Sequence, residues 1–550
     1  MVLYFVRTGI IVLFSLIVLA QLSVGANSKS LRATFEAMQN PVLDTALTFE
    51  VDSLELGHKD LNLTFLTGRM AFFKPVFIDG EETIYGGYFE GAGRLKFAPP
   101  VEIEREQLNR FFRNDSLDHS FEKMLLLFTP AIHRAIIDSV SPADEPFSGA
   151  QQREAQNLVD SLTENNSGKY AFELLSNMVH PAQRPFLLVT AEPDNSEPVV
   201  YIFNPGQREE VSFLVRNSQP GRPSYETVCR YSQYIDPAYV NINGLNKDRI
   251  FVQRYDIDAE TDSIRGFTAA SMVAFEVKMT PTRLLQMNLD SSLVIDSIVD
   301  SAGQRVTFSP CTEGAGRERP IYLFLDRSLG AGEQINLHFF YHGRIVDYGM
   351  GRYFETSGVT WYPRYRLGQR SLFTLNFKTP EKYALVASGN LTSENKAGDT
   401  LFTTWKVVPP AADVSFNLGR LKKLSYEVDD VKPVDVYFAA SSDKNVGLES
   451  SDEKVLARGA TPDEVADDVI NTLRVYNGLF GPFPFRQLTV GEVLQLHGEA
   501  VPGFLHVASD TWTNTDDPDT DRMLRAHELA HQWWGVEVGN ETYHDRWICE

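Results

Sequence analysis

The chain has 550 residues, of which 43% are apolar, and a formal net charge of −22. Because a single hydrophobic core stops growing beyond about 250–300 residues, this length predicts two to four domains. The acidic balance and the lack of a basic arm exclude nucleic acid as an expected partner, and three cysteines are too few for a disulfide framework.

Residues 1–26 have the pattern of a secretory signal peptide. Arg7 supplies a positive flank, Gly9 to Ala20 form an apolar core, and small residues precede a cleavage point after Ala26. This pattern predicts an exported protein, whether secreted, periplasmic or held at the cell surface. An uncleaved membrane anchor is the alternative, but the core is shorter than the ~20 residues that a membrane span prefers, which favours cleavage. Contact with a membrane is expected only through this segment.

The next part of the chain, residues 27–180, mixes two patterns. Residues 27–101 alternate apolar and polar side chains, as β-strands do. Residues 103–179 contain apolar residues at helical spacing, in the stretches EREQLNRFF, FEKMLLLF and REAQNLVDSL. We interpret 27–180 as an N-terminal α+β extension of unknown role.

Residues 196–452 consist of short β-rich runs bounded by Gly, Pro, Asn or Asp. Their spacing predicts a large antiparallel sheet or sandwich. The aromatic cluster WYPRY at 361–365 is expected to be a core or domain-interface anchor.

From about residue 455 the pattern becomes helical. Thr461 is a candidate N-cap, Pro462 fits the first helical position, and Glu464 completes a capping box. Gly478 or Gly481 is expected to end this helix, and LTVGEVLQL follows as a strand.

The stretch HELAH, residues 527–531, contains candidate metal-binding and catalytic residues. His527 and His531 are four residues apart, so on a helix their rings project from one side and can bind one Zn²⁺. Glu528 is placed to reach a water on that metal as a general base. The helix is expected to start at a cap on Asp517 or Asp519 and to stop at Gly535.

A third metal ligand must come from downstream. A metzincin would need Gly at 534 and His at 537, and this chain has Trp534 and Glu537 there. The remaining candidates are Glu541, His544, Asp545 and Glu550. The spacing favours Glu550, with WICE as the first turn of a second helix, and two histidines with one glutamate leave a fourth position open for water.

These motifs resemble those of the gluzincin aminopeptidases of the membrane alanyl aminopeptidase family. The family's H-E-x-x-H-x18-E pattern is matched by HELAHQWWG and WICE, with 18 residues between His531 and Glu550. Further family segments are resembled by LRVYNGLFGPFPF, WYP and FKTPEKYALVASGNL, so that the resemblance covers roughly residues 200–550. The resemblance implies a saddle-shaped β domain followed by a thermolysin-like catalytic domain. It also implies His527, His531 and Glu550 as ligands of one zinc ion and Glu528 as the base.

Two features depart from the family pattern. The family has a G-x-M-E-N strand whose glutamate holds the substrate's α-amine, whereas this chain has LHGEAVPGFLHVAS, with Gly498 and Glu499 as candidate substrate-binding residues. When the motifs are aligned on Gly503, the usual glutamate position falls on Ala500. The family also continues beyond its last zinc ligand, so we expect this sequence to be part of a longer protein.

The sequence therefore predicts a multidomain α+β protein. Its expected parts are a signal peptide at 1–26, an α+β extension at 27–180, a β domain at 196–452 and the beginning of an α/β zinc-peptidase domain at 455–550. The expected activity is a zinc-dependent aminopeptidase acting on peptide substrates. The alternatives are a zinc peptidase without strict N-terminal specificity and a non-catalytic secreted binding protein with a vestigial zinc site.

Overall fold

A computed structural model of the chain describes residues 27–58, 60–163, 167–180, 184–193, 197–207, 209–217, 225–232, 249–261, 266–278, 282–310, 317–349, 352–355, 360–366, 368–439, 461–493, 498–508, 518–540 and 543–549. The predicted signal peptide at 1–26 and the predicted ligand Glu550 lie outside the described residues, as do the alternative ligand Glu541 and the candidate cap Asp517.

The N-terminal part forms a nine-stranded sheet with strand order β11-β10-β9-β8-β6-β5-β2-β1-β7 and a small β3–β4 hairpin. Its strands are β1 Leu43–His58, β2 Leu61–Phe73, β3 Val76–Ile78, β4 Glu81–Thr83, β5 Gly86–Phe97, β6 Leu117–Phe128, β7 Ser141–Pro142, β8 Leu187–Pro193, β9 Val199–Phe203, β10 Val211–Arg216 and β11 Tyr225–Tyr231. Its helices are α1 Ser28–Met38, α2 Glu102–Phe112, α3 Pro130–Ile137, α4 Gly149–Thr163 and α5 Ser167–Met178. The sheet thus continues past residue 180 and includes strands from the range assigned to the β-rich domain.

One helix prediction in this part is wrong. FEKMLLLF lies in β6, between β5 and β8 in the middle of the sheet. Met124 to Phe128 are all buried, as in a strand covered on both faces. A short apolar run fits a buried strand and a buried helix equally well, and here pairing on both sides decides for the strand. The helix predictions for EREQLNRFF and REAQNLVDSL are confirmed by α2 and α4.

The second part is β-rich and contains three sheets, with strand orders β15-β18-β13-β12-β21-β24-β23, β14-β17-β16 and β19-β20-β25-β22. Strand pairing is antiparallel except between β12 and β21. The strands are β12 Ile250–Glu260, β13 Phe267–Val277, β14 Thr282–Asp290, β15 Leu293–Asp300, β16 Thr307–Pro310, β17 Glu318–Leu329, β18 Gln334–Gly343, β19 Val346–Gly349, β20 Arg352–Glu355, β21 Ser371–Pro380, β22 Ala384–Ala387, β23 Asn390–Ala397, β24 Thr400–Ala411 and β25 Phe416–Gly419.

The cluster WYPRY is a core anchor, as predicted. Trp361 and Tyr362 are fully buried in the main core of the β-rich part, and the Trp361 indole N–H donates to the Val414 carbonyl at 2.8 Å. Arg364, also buried, pairs with Asp413 and with Glu318, the latter at 2.9 Å. Buried charges are tolerated when they are paired and hydrogen-bonded in this way.

The last part is a five-stranded α/β layer with strand order β26-β27-β28-β30-β29. Its elements are β26 Leu421–Tyr426, β27 Val434–Ala439, α6 Pro462–Phe480, β28 Leu488–Val493, β29 Glu499–Val501, β30 Phe504–Ala508, α7 Pro518–Ala530 and a 3₁₀ helix at Tyr543–Cys549. The inner strands β27, β28 and β30 run parallel, and β29 is an antiparallel edge strand.

Helix α6 begins and ends as predicted. Thr461 accepts a hydrogen bond from the Glu464 N–H at 3.2 Å, Glu464 accepts one from the Thr461 N–H at 2.7 Å, and Gly481 follows the helix with φ of 98°. An N-cap of this kind contributes about 1 kcal/mol. Val465, Val469 and Leu473 bury one face of α6 against β27, β28 and β30.

Among the described helices, none is both long enough and apolar enough to cross a bilayer.

Candidate metal centre

The site lies at the end of α7. This helix starts at Pro518, so Asp519 is in its first turn, where a carboxylate interacts favourably with the helix dipole. The helix ends at Ala530 instead of continuing to Trp534. His531 still donates its backbone N–H to the His527 carbonyl at 3.3 Å, and the following residues form a turn around Gly535, whose φ is 113°.

The two histidines converge as the i, i+4 spacing predicts. Their Nε2 atoms are 3.0 Å apart, and their rings are nearly perpendicular with centroids 4.6 Å apart. Two nitrogens on one tetrahedral zinc ion, with Zn–N bonds of about 2.0–2.1 Å, lie about 3.3 Å apart. The observed separation is within a few tenths of an ångström of this value, so the pair fits a shared metal ion.

The backbone orients the second histidine. His531 Nδ1 is 3.0 Å from the Trp534 carbonyl oxygen, a distance that suits a donated N–H. This hydrogen bond leaves the lone pair on Nε2, the atom that faces His527. Metal-binding histidines usually have such a partner on the other ring nitrogen, which fixes the tautomer and the ring plane.

Glu528 is buried beside the pair, with 6% of its surface exposed. It packs against Gly498, just before β29. A Cβ atom on residue 498 would lie 2.4 Å from Glu528 Cγ and 2.7 Å from Oε1, so only glycine leaves room for this side chain. Gly498, predicted as a substrate-binding residue, therefore contacts the predicted base.

The side chain of Glu499 is on the face of edge strand β29 that points away from α7. Along β29 and β30, Val501 and Phe504 face the core of the β-rich part, whereas Ala500 and Leu505 face the core that contains α7. Because side chains alternate along a strand, Glu499 points to the Val501 side. There its carboxylate is 3.6 Å from Nδ1 of His506, its direct partner on β30.

His506 is a buried histidine that lies in no recognisable sequence motif. It is 1% exposed, and neither ring nitrogen has a hydrogen-bond partner within the described part of the chain. Burial lowers its pKa to about 3, so the ring is neutral at ordinary pH.

Contacts from three directions hold the end of α7. From α6, Tyr476 donates to the Ala526 carbonyl at 3.2 Å, and Asp468 pairs with Arg525 at 2.6 Å. From the β29–β30 hairpin, the Gly503 N–H donates to the side chain of buried Gln532 at 2.9 Å. Gln532 in turn donates to the Val501 carbonyl at 3.0 Å.

The third contact comes from the β-rich part. Arg370 donates to the Val536 carbonyl, and to the Gly535 carbonyl at 3.2 Å. These bonds hold the turn after the helix. No sequence motif pointed to Arg370 or to Gln532, because both act through contacts with residues distant in the chain.

The predicted third ligand cannot be placed, since Glu550 is outside the described residues. Its chain neighbour Cys549 ends the 3₁₀ helix, in place of the second α-helix expected from WICE. A Cβ atom on Gly535 would be 3.7 Å from the Cys549 carbonyl oxygen and equally far from His531 Nδ1. Within the described ranges, no group of three histidine, cysteine, aspartate or glutamate side chains could hold a metal ion.

Comparisons with known proteins give a partial structural similarity. The chain is similar to the crystal structure of the M1 zinc metallopeptidase from Deinococcus radiodurans, with 19% identity over 55% of this chain and 68% of that chain and a TM-score of 0.43. A mutant of that enzyme gives 18% identity, 55% and 69% coverage and a TM-score of 0.43. No protein-family model and no curated protein sequence matches the chain.

Proposed function

We propose that the chain carries the metal-binding residues of a zinc-dependent peptidase that hydrolyses peptide bonds. The observation that carries this proposal is the convergence of His527 Nε2 and His531 Nε2 to 3.0 Å, one residue away from a buried glutamate. Glu550 is the proposed third ligand, because it directly follows Cys549, whose carbonyl lies beside the turn that carries His531.

Each residue has a distinct role in this proposal. When bound, zinc would lower the pKa of water towards about 7 and polarise a carbonyl group. Glu528 accepts the proton from the attacking water and delivers it to the leaving amine. Gly498 lets the Glu528 side chain lie flat against the edge strand, and the Trp534 carbonyl holds the His531 ring in its metal-binding orientation.

The finer prediction, release of N-terminal residues, needs a group that recognises a free α-amine. Glu499 is the residue proposed for this role, and it shares a strand face with His506 whereas Gly498 contacts Glu528. This placement favours a second candidate function, peptide-bond hydrolysis without dependence on a free amine. Rates on matched free and N-acetylated peptides separate the two: exclusive cleavage of the free peptide supports aminopeptidase action, and equal cleavage supports the alternative.

The zinc proposal is tested by metal content and by activity. Protein prepared without chelators should contain about one zinc per chain, and His527→Ala should lose it. His342→Ala changes an exposed histidine that pairs with Asp296, and it should keep the metal. A wild-type protein that contains no zinc and binds none when zinc is added would refute the proposal.

The general base is tested by Glu528→Gln, which preserves size and removes the proton acceptor. We expect a loss of about 10²–10⁴-fold in kcat with zinc retained. Glu537→Gln is the matched control, because Glu537 is exposed and lies in the same segment. Hydrolysis undiminished in Glu528→Gln would remove Glu528 from the mechanism, and the absence of hydrolysis in zinc-loaded wild type would favour a non-catalytic binding protein.

A further inference from the structure

The larger of the described cavities has no residue of α7 in its lining. It has a volume of about 510 Å³, in the range of small-molecule sites. Its walls come from α5, from the turn between β9 and β10, from β14 and from the segment 365–369. It therefore lies at the junction between the N-terminal sheet and the β-rich part.

The lining is mostly polar and carries many charges. Its basic side chains are those of Lys169, Arg230, Arg249 and Arg366, and its acidic side chains are those of Glu173, Glu209 and Glu210. One wall is already organised by hydrogen bonds. Arg366 donates to the Gln207 side chain at 2.7 Å, and Gln207 donates to Glu173 at 3.2 Å.

The guanidinium of Arg249 has few hydrogen-bond partners in this lining. Within the described residues its guanidinium makes one hydrogen bond, at 3.5 Å to the Leu284 carbonyl, and no ion pair. A guanidinium has five N–H donors in a planar fork that matches a carboxylate or a phosphate. Most of this donor capacity is not taken up by the described residues, and the side chain is partly buried.

The surroundings of Arg249 add positive charge. Burial lowers its pKa most, and the nearby charges of Arg184 and Arg366 lower it as well, whereas Tyr365 and Glu173 act in the opposite direction. Arginine remains charged in spite of these effects. A cluster of guanidiniums in a shielded place is unfavourable unless an anion compensates it.

The local backbone keeps Arg249 pointed into the cavity. A Cβ atom on Gly206 would lie 3.2 Å from a terminal nitrogen of Arg249, so the glycine allows the guanidinium to lie against the turn. That turn is fixed by Asn204, whose side-chain oxygen accepts from the Gly206 N–H and from Asn177, each at 3.0 Å.

We propose that this cavity binds a small anionic ligand through one carboxylate or phosphate group held by Arg249 and Arg366. The three glutamates in the lining disfavour ligands with a large negative charge. The site is separate from the metal centre and does not depend on peptidase activity.

The test uses the full chain, with inorganic phosphate and succinate as probes at constant ionic strength. Isothermal titration should show saturable binding of at least one probe with Kd of about 1 mM or tighter. Arg249→Gln should weaken it by about tenfold or more, and Arg249→Lys, which keeps the charge without the fork, should weaken it less. Arg327→Gln changes an exposed arginine paired with Glu333 and should leave binding unchanged.

Thermal unfolding separates a binding role from a structural one. Without an added anion, Arg249→Gln should be at least as stable as wild type, because it removes an uncompensated charge. With saturating probe, wild type should become the more stable of the two. Absence of saturable binding up to about 10 mM of either probe, or equal affinity of wild type and Arg249→Gln, would overturn the proposal.

Discussion

The contact between Gly498 and Glu528 leads to a sharp prediction for Gly498→Ala. The added Cβ would be 2.4–2.7 Å from Cγ, Cδ and Oε1 of Glu528, whereas carbon atoms in ordinary contact are about 3.5–4.0 Å apart. The Glu528 side chain must therefore move by about 1 Å. A displacement of this size at a reacting group costs about 100-fold in rate, or about 2.7 kcal/mol of transition-state stabilisation.

The assay is steady-state hydrolysis by zinc-loaded protein, with zinc content and unfolding curves measured on the same samples. We expect kcat to fall by about two orders of magnitude while the zinc content stays unchanged, with about 1–3 kcal/mol of destabilisation from overpacking. Gly478→Ala is the matched control, because a Cβ there has nothing within 4 Å. A folded Gly498→Ala protein with kcat within twofold of wild type would refute the proposed packing of the base.

Three further predictions concern stability. Gln532→Leu removes both hydrogen bonds between the turn after α7 and the β29–β30 hairpin, including that from the buried Gly503 N–H. Urea unfolding should show a loss of about 2–4 kcal/mol in the free energy of unfolding. Asp413→Asn removes a negative charge that pairs with buried Arg364, and it should lower the free energy of unfolding by about 3 kcal/mol. Asp118→Asn, in the exposed pair with Arg94, should change the free energy of unfolding little. His506 takes up a proton only near pH 3 when folded, but near pH 6.5 when unfolded, so its contribution to stability is present above about pH 6.5 and lost as pH falls towards 3. His506→Leu should therefore reduce the stability difference between pH 7 and pH 5 by about 2 kcal/mol, and an unchanged difference would contradict the assignment.

Local chemistry was predictable from the sequence wherever a few adjacent residues determine the structure. The capping box of Thr461 and Glu464 set the start of α6, and the i, i+4 spacing brought His527 and His531 together. FEKMLLLF was misassigned because its apolar run satisfies two periodicities, and only its pairing with β5 and β8 selects the strand. The same limit applies to Gly498, whose contact with Glu528 depends on how a sheet edge meets a helix.

The metal centre depends on a chain of contacts that crosses between the β-rich part and the α/β layer. Arg370, just before β21, donates to the backbone carbonyls of residues 535 and 536, and so fixes the turn that follows α7. The same turn presents the Trp534 carbonyl, which orients the His531 ring. From the opposite side, Gln532 ties the turn to the edge hairpin. The HELAH motif supplies the ligating atoms, but their direction is set by a guanidinium about 160 residues earlier in the sequence. For this reason the α/β layer by itself would retain the motif while losing part of the support that aligns it.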